Sequence, residues 1–203
     1  MKEQIKITAI IGSYRKGGII DQTVDEILAA ATAGGGAASK IYLIDRHVEF
    51  CRNCRICTQE EGERRGRCPR EDEMEAILDE IDGSEAIILA SPMNFGAVTA
   101  VMKRFIERLI CTAYWPWGQM APKLRRREKK KRAVLVAASA APAFLSRLMT
   151  PMVGRLKNAA DVLGARTVGL LFVGLAARTQ RQEIGAGVRK KARRLGRKLL
   201  IAD

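Results

Sequence analysis

Four of the five cysteines lie in one short segment, with the spacing Cys51-x2-Cys54-x2-Cys57-x10-Cys68 and a proline directly after the last. Thiolates are soft ligands, so four of them in one loop suit an iron–sulfur cluster or a tetrahedral zinc ion. A compact C-x2-C-x2-C run and a final Cys-Pro are typical of ferredoxin-type clusters. A [4Fe–4S] cluster, a zinc ion and metal-free redox thiols remain three interpretations, and Cys111 is expected to be a small buried residue.

A second stretch with chemical potential is "IIGSYRKGGIIDQ", residues 10–22, where glycines and cations separate an apolar strand from a helical pattern. Such a turn exposes successive backbone N–H groups at a helix N-terminus, which is a favourable place for an anion. Ser13 adds a hydroxyl donor, Arg15 adds charge, and Gly17 and Gly18 let the backbone come close. The sequence therefore predicts a phosphate site here, the alternative being a tight turn that merely needs glycines.

The chain has 203 residues and a net charge of +14, which is concentrated in two runs. Residues 123–132 carry a net charge of +7 and residues 178–198 a net charge of +8. Basic runs suit phosphate-bearing ligands, nucleic acid or an acidic partner, but they are also typical of solvated surface. Nucleic acid is the less favoured partner, because no aromatic residue lies within the runs to stack on bases.

Composition also bears on the compartment. No apolar run approaches the ~20 residues that a membrane-spanning helix needs, so no membrane association is expected. The first ten residues alternate like a strand rather than a signal peptide, which predicts a cytoplasmic protein. In that compartment disulfides are the less favoured interpretation of the cysteines.

Five apolar strands are predicted at 5–13, 40–45, 85–92, 132–139 and 167–175, with an amphipathic helix after each. Because the strands read as nearly continuous apolar runs, they are expected to be buried on both faces. This alternation predicts an α/β protein with a five-stranded parallel sheet and helices on both sides. Ligands of such sheets bind beyond the carboxyl ends of the strands, where the turn at residues 12–19 and the cysteine segment both begin.

Three motifs occur in one order: "GSYRKGG" from residue 12, "CRNCRICTQEEGERRGRCPREDEM" from residue 51 and "SPMNFGAVTAVMKRFIER" from residue 91. With them the chain resembles the NADPH-dependent FMN reductase-like branch of the flavodoxin-like superfamily, and the cysteine segment resembles that of its iron–sulfur flavoproteins. The resemblance covers about residues 5–175. It implies a flavodoxin-like three-layer sandwich with strand order 2-1-3-4-5.

The resemblance also implies roles for individual residues. The FMN phosphate would lie on the backbone of residues 13–18, and the flavin ring would lie over the turn after the third strand. Ser139 and Ala140 would close the far side. The implied cofactor-binding residues are Ser13, Arg15, Gly17, Gly18, Pro92, Met93, Asn94, Phe95, Gly96, Ser139 and Ala140. Cys51, Cys54, Cys57 and Cys68 would bind a [4Fe–4S] cluster, NADPH or NADH would be the electron donor, and no catalytic side chain is implied.

We expect a single domain over residues 1–203, with a cysteine-rich loop at 50–70 and a basic, tryptophan-containing insertion at 113–131. The predicted function is a flavin-dependent oxidoreductase that passes electrons from a reduced nicotinamide through FMN to a small acceptor or to the cluster. The alternatives are a non-enzymatic electron-transfer flavoprotein and a basic nucleic-acid-binding domain. A homodimer or homotetramer is expected, and Trp115 and Trp117 would cover the flavin, contact another subunit or simply pack.

Overall fold

Five parallel strands form the central sheet of the computed structural model, which describes residues 4–126 and 128–201. They are β1 (Lys6–Ile11), β2 (Ala37–Tyr42), β3 (Ala86–Asn94), β7 (Lys131–Ala138) and β8 (Ala165–Val173). The order across the sheet is β2-β1-β3-β7-β8, and every neighbouring pair is parallel. Counted among parallel strands alone, this is the predicted order 2-1-3-4-5.

Three very short strands lie outside this set. The strand β4 (Ala97–Val98) folds back antiparallel on the end of β3, and β5 (Ala113–Tyr114) pairs antiparallel with β6 (Lys123–Leu124). The helices are α1 (Ile19–Ala33), α2 (Met74–Asp82), α3 (Ala100–Arg108), α4 (Ala143–Met149), α5 (Met152–Val162) and α6 (Ala186–Lys198). No helix within the described part of the chain is both long and apolar enough to cross a membrane.

The sheet separates two apolar layers, because alternate residues of each buried strand point to opposite faces. Ile7 and Ile11 of β1 belong to the layer that contains Val24 of α1 and Leu195 of α6. Ile10 belongs to the other layer, which contains residues of α2, α3 and α5, among them Phe105. The continuous apolar character of the strands follows from this burial on both sides.

The structure differs from the predicted elements in four main places, one of which is the β5–β6 pair, which was not predicted. The second strand covers Ala37–Tyr42 rather than 40–45, because Ala37 pairs with Lys6 and the chain turns into a short 3-10 segment at Leu43–Asp45. The β3–β4 hairpin was not predicted. Helix α4 was not predicted either, since its seven residues are too few for a clear helical period.

Close packing fixes the first turn against the third helix. A Cβ atom added to Gly12 would lie 2.6 Å from Cβ of Met102, so α3 can approach β1 only because residue 12 has no side chain. Thr99 strengthens this contact, since its hydroxyl donates to the carbonyl of Gly12 over 2.5 Å and accepts the amide of Met102 at the start of α3. The turn after β1 is thereby positioned beside the turn after β3.

Candidate functional site

A cleft of about 680 Å³ lies at the carboxyl edge of the sheet, where the turns after four parallel strands meet. We call it the strand-end cleft; it is lined by residues 13–20, 92–94, 138–140, 176–177 and 179–183. Nine of the predicted cofactor-binding residues line it: Ser13, Arg15, Gly17, Gly18, Pro92, Met93, Asn94, Ser139 and Ala140. Three segments that are far apart in sequence are thus brought together as the resemblance implies.

The turn after β1 presents backbone donors to this cleft. Three of its amides are already used: Gly17 donates to a carboxylate oxygen of Asp21 over 2.6 Å, Arg15 to Oγ of Ser13 over 3.2 Å, and Gly18 to the carbonyl of Arg15 over 3.4 Å. The amides of Tyr14 and Lys16, and those of Ile19 and Ile20 in the first turn of α1, have no acceptor among residues 4–126 and 128–201. Free amides at a helix N-terminus are what an anionic group requires.

A buried carboxylate supports the same turn from behind. Asp21 is 4% exposed, and besides the amide of Gly17 it accepts Nζ of Lys40 over 2.7 Å and the hydroxyl of Tyr42 over 2.8 Å. Burial alone would raise the pKa of Asp21, but these hydrogen bonds outweigh it and lower the pKa below its usual value. Asp21 therefore stays ionised and ties the turn to β2.

The segment after β8 closes the cleft and was missed by the sequence analysis. The guanidinium of Arg15 donates to the carbonyl of Gln180, and the side-chain amide of Gln22 donates to the carbonyls of Gly17 and Gln182 over 2.8 and 3.0 Å. The signal was present, because β8 is parallel to its neighbours and its carboxyl end must reach the same edge.

Two predicted residues lie outside the cleft. Phe95 and Gly96 form the tip of the β3–β4 hairpin, with φ angles of 48° and 73°, and the Phe95 ring is fully exposed. Ser139 lines the cleft, but its hydroxyl lies 2.9 Å from the carbonyl of Ala141 and 2.8 Å from Oγ of Ser146, on α4. This serine therefore fixes α4 beside the cleft.

A second cavity, of about 520 Å³, is lined by all four clustered cysteines together with Arg108 and Ile110. We call it the cysteine cavity. Cys54 is exposed, Cys57 is buried, and Cys51 and Cys68 are intermediate; all are free thiols. Asn53 and Arg55 have positive φ angles of 54° and 59°, which turn the backbone sharply between the cysteines.

The chemistry of the cysteine cavity is that of clustered soft donors. Burial, as the largest cause, and the nearby charges of Cys68, Cys51 and Cys54 together raise the pKa of the Cys57 thiol to about 11. Within residues 4–126 and 128–201, no three His, Cys, Asp or Glu side chains are arranged as a ready metal-binding group. The donor set fits iron or zinc in kind, while its arrangement is that of free thiols.

The tryptophan insertion covers the cysteine loop rather than the strand-end cleft. The Arg55 guanidinium lies between the rings of Trp115 and Trp117, 3.8 and 4.3 Å from their centroids. It also donates to the carbonyl of Trp115 over 2.6 Å, and the amide of Trp115 donates to the carbonyl of Thr58 over 2.8 Å. Of the roles expected for the tryptophans, packing is the one these contacts support.

Gly66 of the cysteine-rich loop is packed closely against neighbouring backbone. A Cβ atom on Gly66 would lie 1.7 Å from the carbonyl oxygen of Cys57, and the Gly66 amide donates to the carbonyl of Cys111 over 2.8 Å. Cys111 itself is 3% exposed, and burial raises the pKa of its thiol to about 12. It behaves as the predicted buried residue.

The two basic runs differ in how they are used. Most described cations of residues 123–132 have partners inside the protein, such as Arg126 and Lys129, whose side chains pair with Asp82 and Asp161. The side-chain amine of Lys131 donates hydrogen bonds to the backbone carbonyls of Asp82 and Ser84. In contrast, the exposed face of α6 carries cations without an ion pair in the described residues, namely Lys190, Lys191, Arg194, Arg197 and Lys198.

A family model and several curated proteins match this sequence. The model of the family "NADPH-dependent FMN reductase" matches residues 5–173. An iron–sulfur flavoprotein of Archaeoglobus fulgidus is 30% identical over 112 residues, which cover 55% of this chain and 49% of that protein. One of Methanocaldococcus jannaschii is 34% identical over 104 residues, covering 51% of each chain. The alignments therefore span about half the length of these curated relatives.

Solved structures match the fold over almost the whole chain. An azoreductase of Bacillus anthracis has a TM-score of 0.72 at 14% identity, covering 96% of this chain and 100% of that one. An NAD(P)H:quinone oxidoreductase of Methanothermobacter marburgensis has a TM-score of 0.70 at 13% identity, covering 97% and 100%. At these identities the likeness shows a shared α/β fold.

Proposed function

Because this chain belongs to the NADPH-dependent FMN reductase family, we propose that it binds FMN in the strand-end cleft and takes electrons from NADPH or NADH. When bound, FMN accepts a hydride from a reduced nicotinamide and can release the electrons singly. The observation that carries this proposal is the meeting of residues 13–18, 92–94 and 138–140 around one cleft with unpartnered amides.

The chain's own residues would bind and orient the cofactor. The amides of Tyr14 and Lys16 and the first turn of α1, which have no acceptor among the described residues, would donate to a phosphate, and the Arg15 guanidinium lies in the lining of the same cleft. Asp21 keeps that turn in place through the amide of Gly17. Pro92, Met93 and Asn94 would support the ring, and none of these side chains is assigned a role as general acid or base.

Titration with FMN, followed by anaerobic addition of NADPH, tests this proposal. We expect the chain to bind FMN and the flavin absorbance to bleach when NADPH is added. A chain that is colourless once unbound FMN has been removed would contradict FMN as the cofactor. A yellow chain that neither NADPH nor NADH reduces would favour a non-enzymatic electron carrier. Identification of the acceptor then follows from which small oxidant restores the absorbance.

We also propose that the four cysteines of the cysteine cavity bind a [4Fe–4S] cluster that exchanges electrons with the flavin. Four soft donors around one cavity support this, and the two curated relatives described above are named iron–sulfur flavoproteins. A zinc ion and metal-free thiols remain the alternatives. A reducing compartment such as the cytoplasm suits free thiols of this kind.

Anaerobic purification followed by iron, sulfide and zinc analysis distinguishes these three states of the cysteines. We expect iron and sulfide in equal amounts, and we expect Cys54→Ala to lose them while keeping FMN. Cys111→Ala is the matched control, because this buried cysteine lies outside the lining of the cavity and should leave the iron content unchanged. Zinc without sulfide would favour the structural metal.

A homodimer or homotetramer is proposed from the surface beside the strand-end cleft. Helix α4 exposes large apolar side chains, namely Phe144, Leu145, Leu148 and Met149, and the exposed Phe95 lies on the neighbouring hairpin. Thr150 donates to the carbonyl of Gly96, so this helix end and the hairpin form one surface. Light scattering of the native chain and of Leu148→Glu tests it, and a native chain that is monomeric at micromolar concentration contradicts it.

Nucleic-acid binding is supported less well. The described cations of residues 123–132 are largely engaged within the protein, so the exposed face of α6 is the main basic surface left for a polyanion. A strongly salt-dependent retention on DNA by a chain that binds no flavin would favour this alternative.

A further inference from the structure

A charged side chain is buried inside the wall of the cysteine cavity. Arg108, the last residue of α3, is 3% exposed, yet it lines the cavity together with Cys51, Cys57 and Cys68. A buried guanidinium is costly unless it is paired, so its partners indicate what it is retained for. Its hydrogen-bond partners are Glu49 and Asp72, which lie on either side of the cysteine segment.

Arg108 and Asp72 join the two ends of that loop. Nη1 of Arg108 donates to the carbonyl of Glu49 over 2.9 Å and to one carboxylate oxygen of Asp72, and Nη2 donates to the other oxygen over 3.2 Å. Asp72, whose side chain is 1% exposed, accepts the amides of Glu49 over 2.8 Å and Met74 over 3.0 Å. Residue 49 stands two positions before Cys51, and residue 72 stands four positions after Cys68.

The same guanidinium also acts on a cysteine electrostatically. Arg108 and Cys68 line the same cavity, so a thiolate at position 68 would face a permanent positive charge on a side chain that is itself almost fully buried. Cys68 is the clustered cysteine most separated in sequence from the other three, and Asp72, which pairs with Arg108, lies four positions after it.

We propose that Arg108 is a positioning residue of the cysteine site, which closes the cysteine loop through Asp72 and holds a fixed positive charge beside Cys68. This inference rests on the proposed function, because it assigns a task at the cluster that the four cysteines would bind. A positive charge next to the ligands favours the more negative, reduced state of a cluster, so removing it lowers the reduction potential. Loss of the clamp lowers the affinity for iron.

The anaerobically purified native chain, Arg108→Gln and Arg108→Lys test this, with FMN content, iron content and an EPR-monitored redox titration as the readouts. Lys103→Gln is the matched control, because it removes a positive charge from an exposed position of the same helix. We expect the control to match the native chain. In Arg108→Gln we expect a normal FMN content and a lower reduction potential for the remaining cluster. We expect the iron content to fall more than about twofold, because loss of a supporting contact lowers metal affinity roughly 10-fold or more.

Arg108→Lys keeps the charge but not the forked donor, and it decides the case if Arg108→Gln fails to fold. Iron retained at the native potential supports the role of the charge, and iron lost with FMN retained supports the role of the clamp. Loss of FMN and iron together in both variants shows a merely structural residue and overturns the inference. So does Arg108→Gln with native iron and potential. A native chain without iron instead contradicts the proposed cluster itself, and the inference falls with it.

Discussion

The strand-end cleft and the cysteine cavity are positioned by different parts of the molecule. The cleft is built where parallel strands end, and its main donors are backbone amides of the turn after β1. The cysteine cavity lies in the long connection between β2 and α2. The regular structure of this connection consists of two short 3-10 segments, Leu43–Asp45 and Ile56–Thr58. Its loop is held by arginine side chains, above all Arg55, Arg108 and Arg125.

This difference has a physical cause. Parallel strands end at one edge of the sheet whatever their side chains are, so the strand-end cleft depends mainly on the fold. A loop without regular hydrogen bonding must satisfy its carbonyls otherwise, and arginine can donate several hydrogen bonds from one planar group. We therefore expect single substitutions to disrupt the cysteine cavity more readily than the strand-end cleft.

Gly66→Ala should give the largest effect and should separate the two regions. Its Cβ atom would lie 1.7 Å from the carbonyl oxygen of Cys57, and because the contact is with backbone, the cysteine loop must move. We expect loss of most of the bound iron and destabilisation by roughly 3 kcal/mol, as overpacking of a close contact costs about 1–3 kcal/mol or more. Iron content and urea unfolding measure both effects.

The FMN content of Gly66→Ala should remain normal, since the altered contact lies outside the strand-end cleft. Gly154→Ala is the matched control, because a Cβ atom on this residue of α5 meets no other atom within 4 Å. Equal losses of FMN and iron in Gly66→Ala would show that the two regions are not independent.

Arg55→Ala should have the next largest effect, confined to the cysteine loop and the tryptophan insertion. Two ring contacts and two carbonyl hydrogen bonds are lost, which together should lower the free energy of unfolding by about 2 kcal/mol. Tryptophan emission should shift to longer wavelength as Trp115 and Trp117 become more hydrated. Arg52→Ala is the control, since this exposed arginine has no ion pair or ring contact within the described residues; an equal shift there would contradict the prediction.

The sequence predicted one of these regions far better than the other. The apolar strands and the glycines after β1 are local signals, and they correctly indicated the parallel sheet and three of the four segments that line the strand-end cleft, while the segment after β8 was missed. Arg55 and Arg108, in contrast, act through partners 60 and 36 residues away, at Trp115 and Asp72. Nothing in the local spacing indicates such contacts, and helix α4 was missed because so short a segment has no clear period.

Arg15→Ala should have a moderate effect on the strand-end cleft alone. In the structure Arg15 donates to the carbonyl of Gln180. The loss of this hydrogen bond would partly offset the free energy that Arg15 contributes to phosphate binding. We expect FMN affinity to fall by about tenfold, which corresponds to ~1.4 kcal/mol, with no change in iron content. The control for general charge effects is Arg178→Ala, which removes a cation that lies in the segment after β8 but does not line the cleft. Unchanged affinity in Arg15→Ala would contradict phosphate binding at this turn.

The smallest expected effect concerns the pH dependence of stability at Asp21. The pKa of this buried carboxyl is lowered in the folded chain, so its ionised form stabilises the fold at and above neutral pH. The stabilisation is lost as the pH falls below about 4, the pKa of an unfolded Asp. Since Asp21→Asn lacks this titration, we expect it to be less stable than the native chain at pH 7, by roughly 1 kcal/mol. We expect the difference to be smaller at pH 3, because it is lost as the pH falls through the lowered pKa of the folded Asp21. Asp25→Asn, which removes the exposed partner of Lys40, should change stability less at either pH. A native chain and Asp21→Asn that lose stability in parallel between pH 7 and pH 3 would show that the turn after β1 is held by its backbone without this carboxylate.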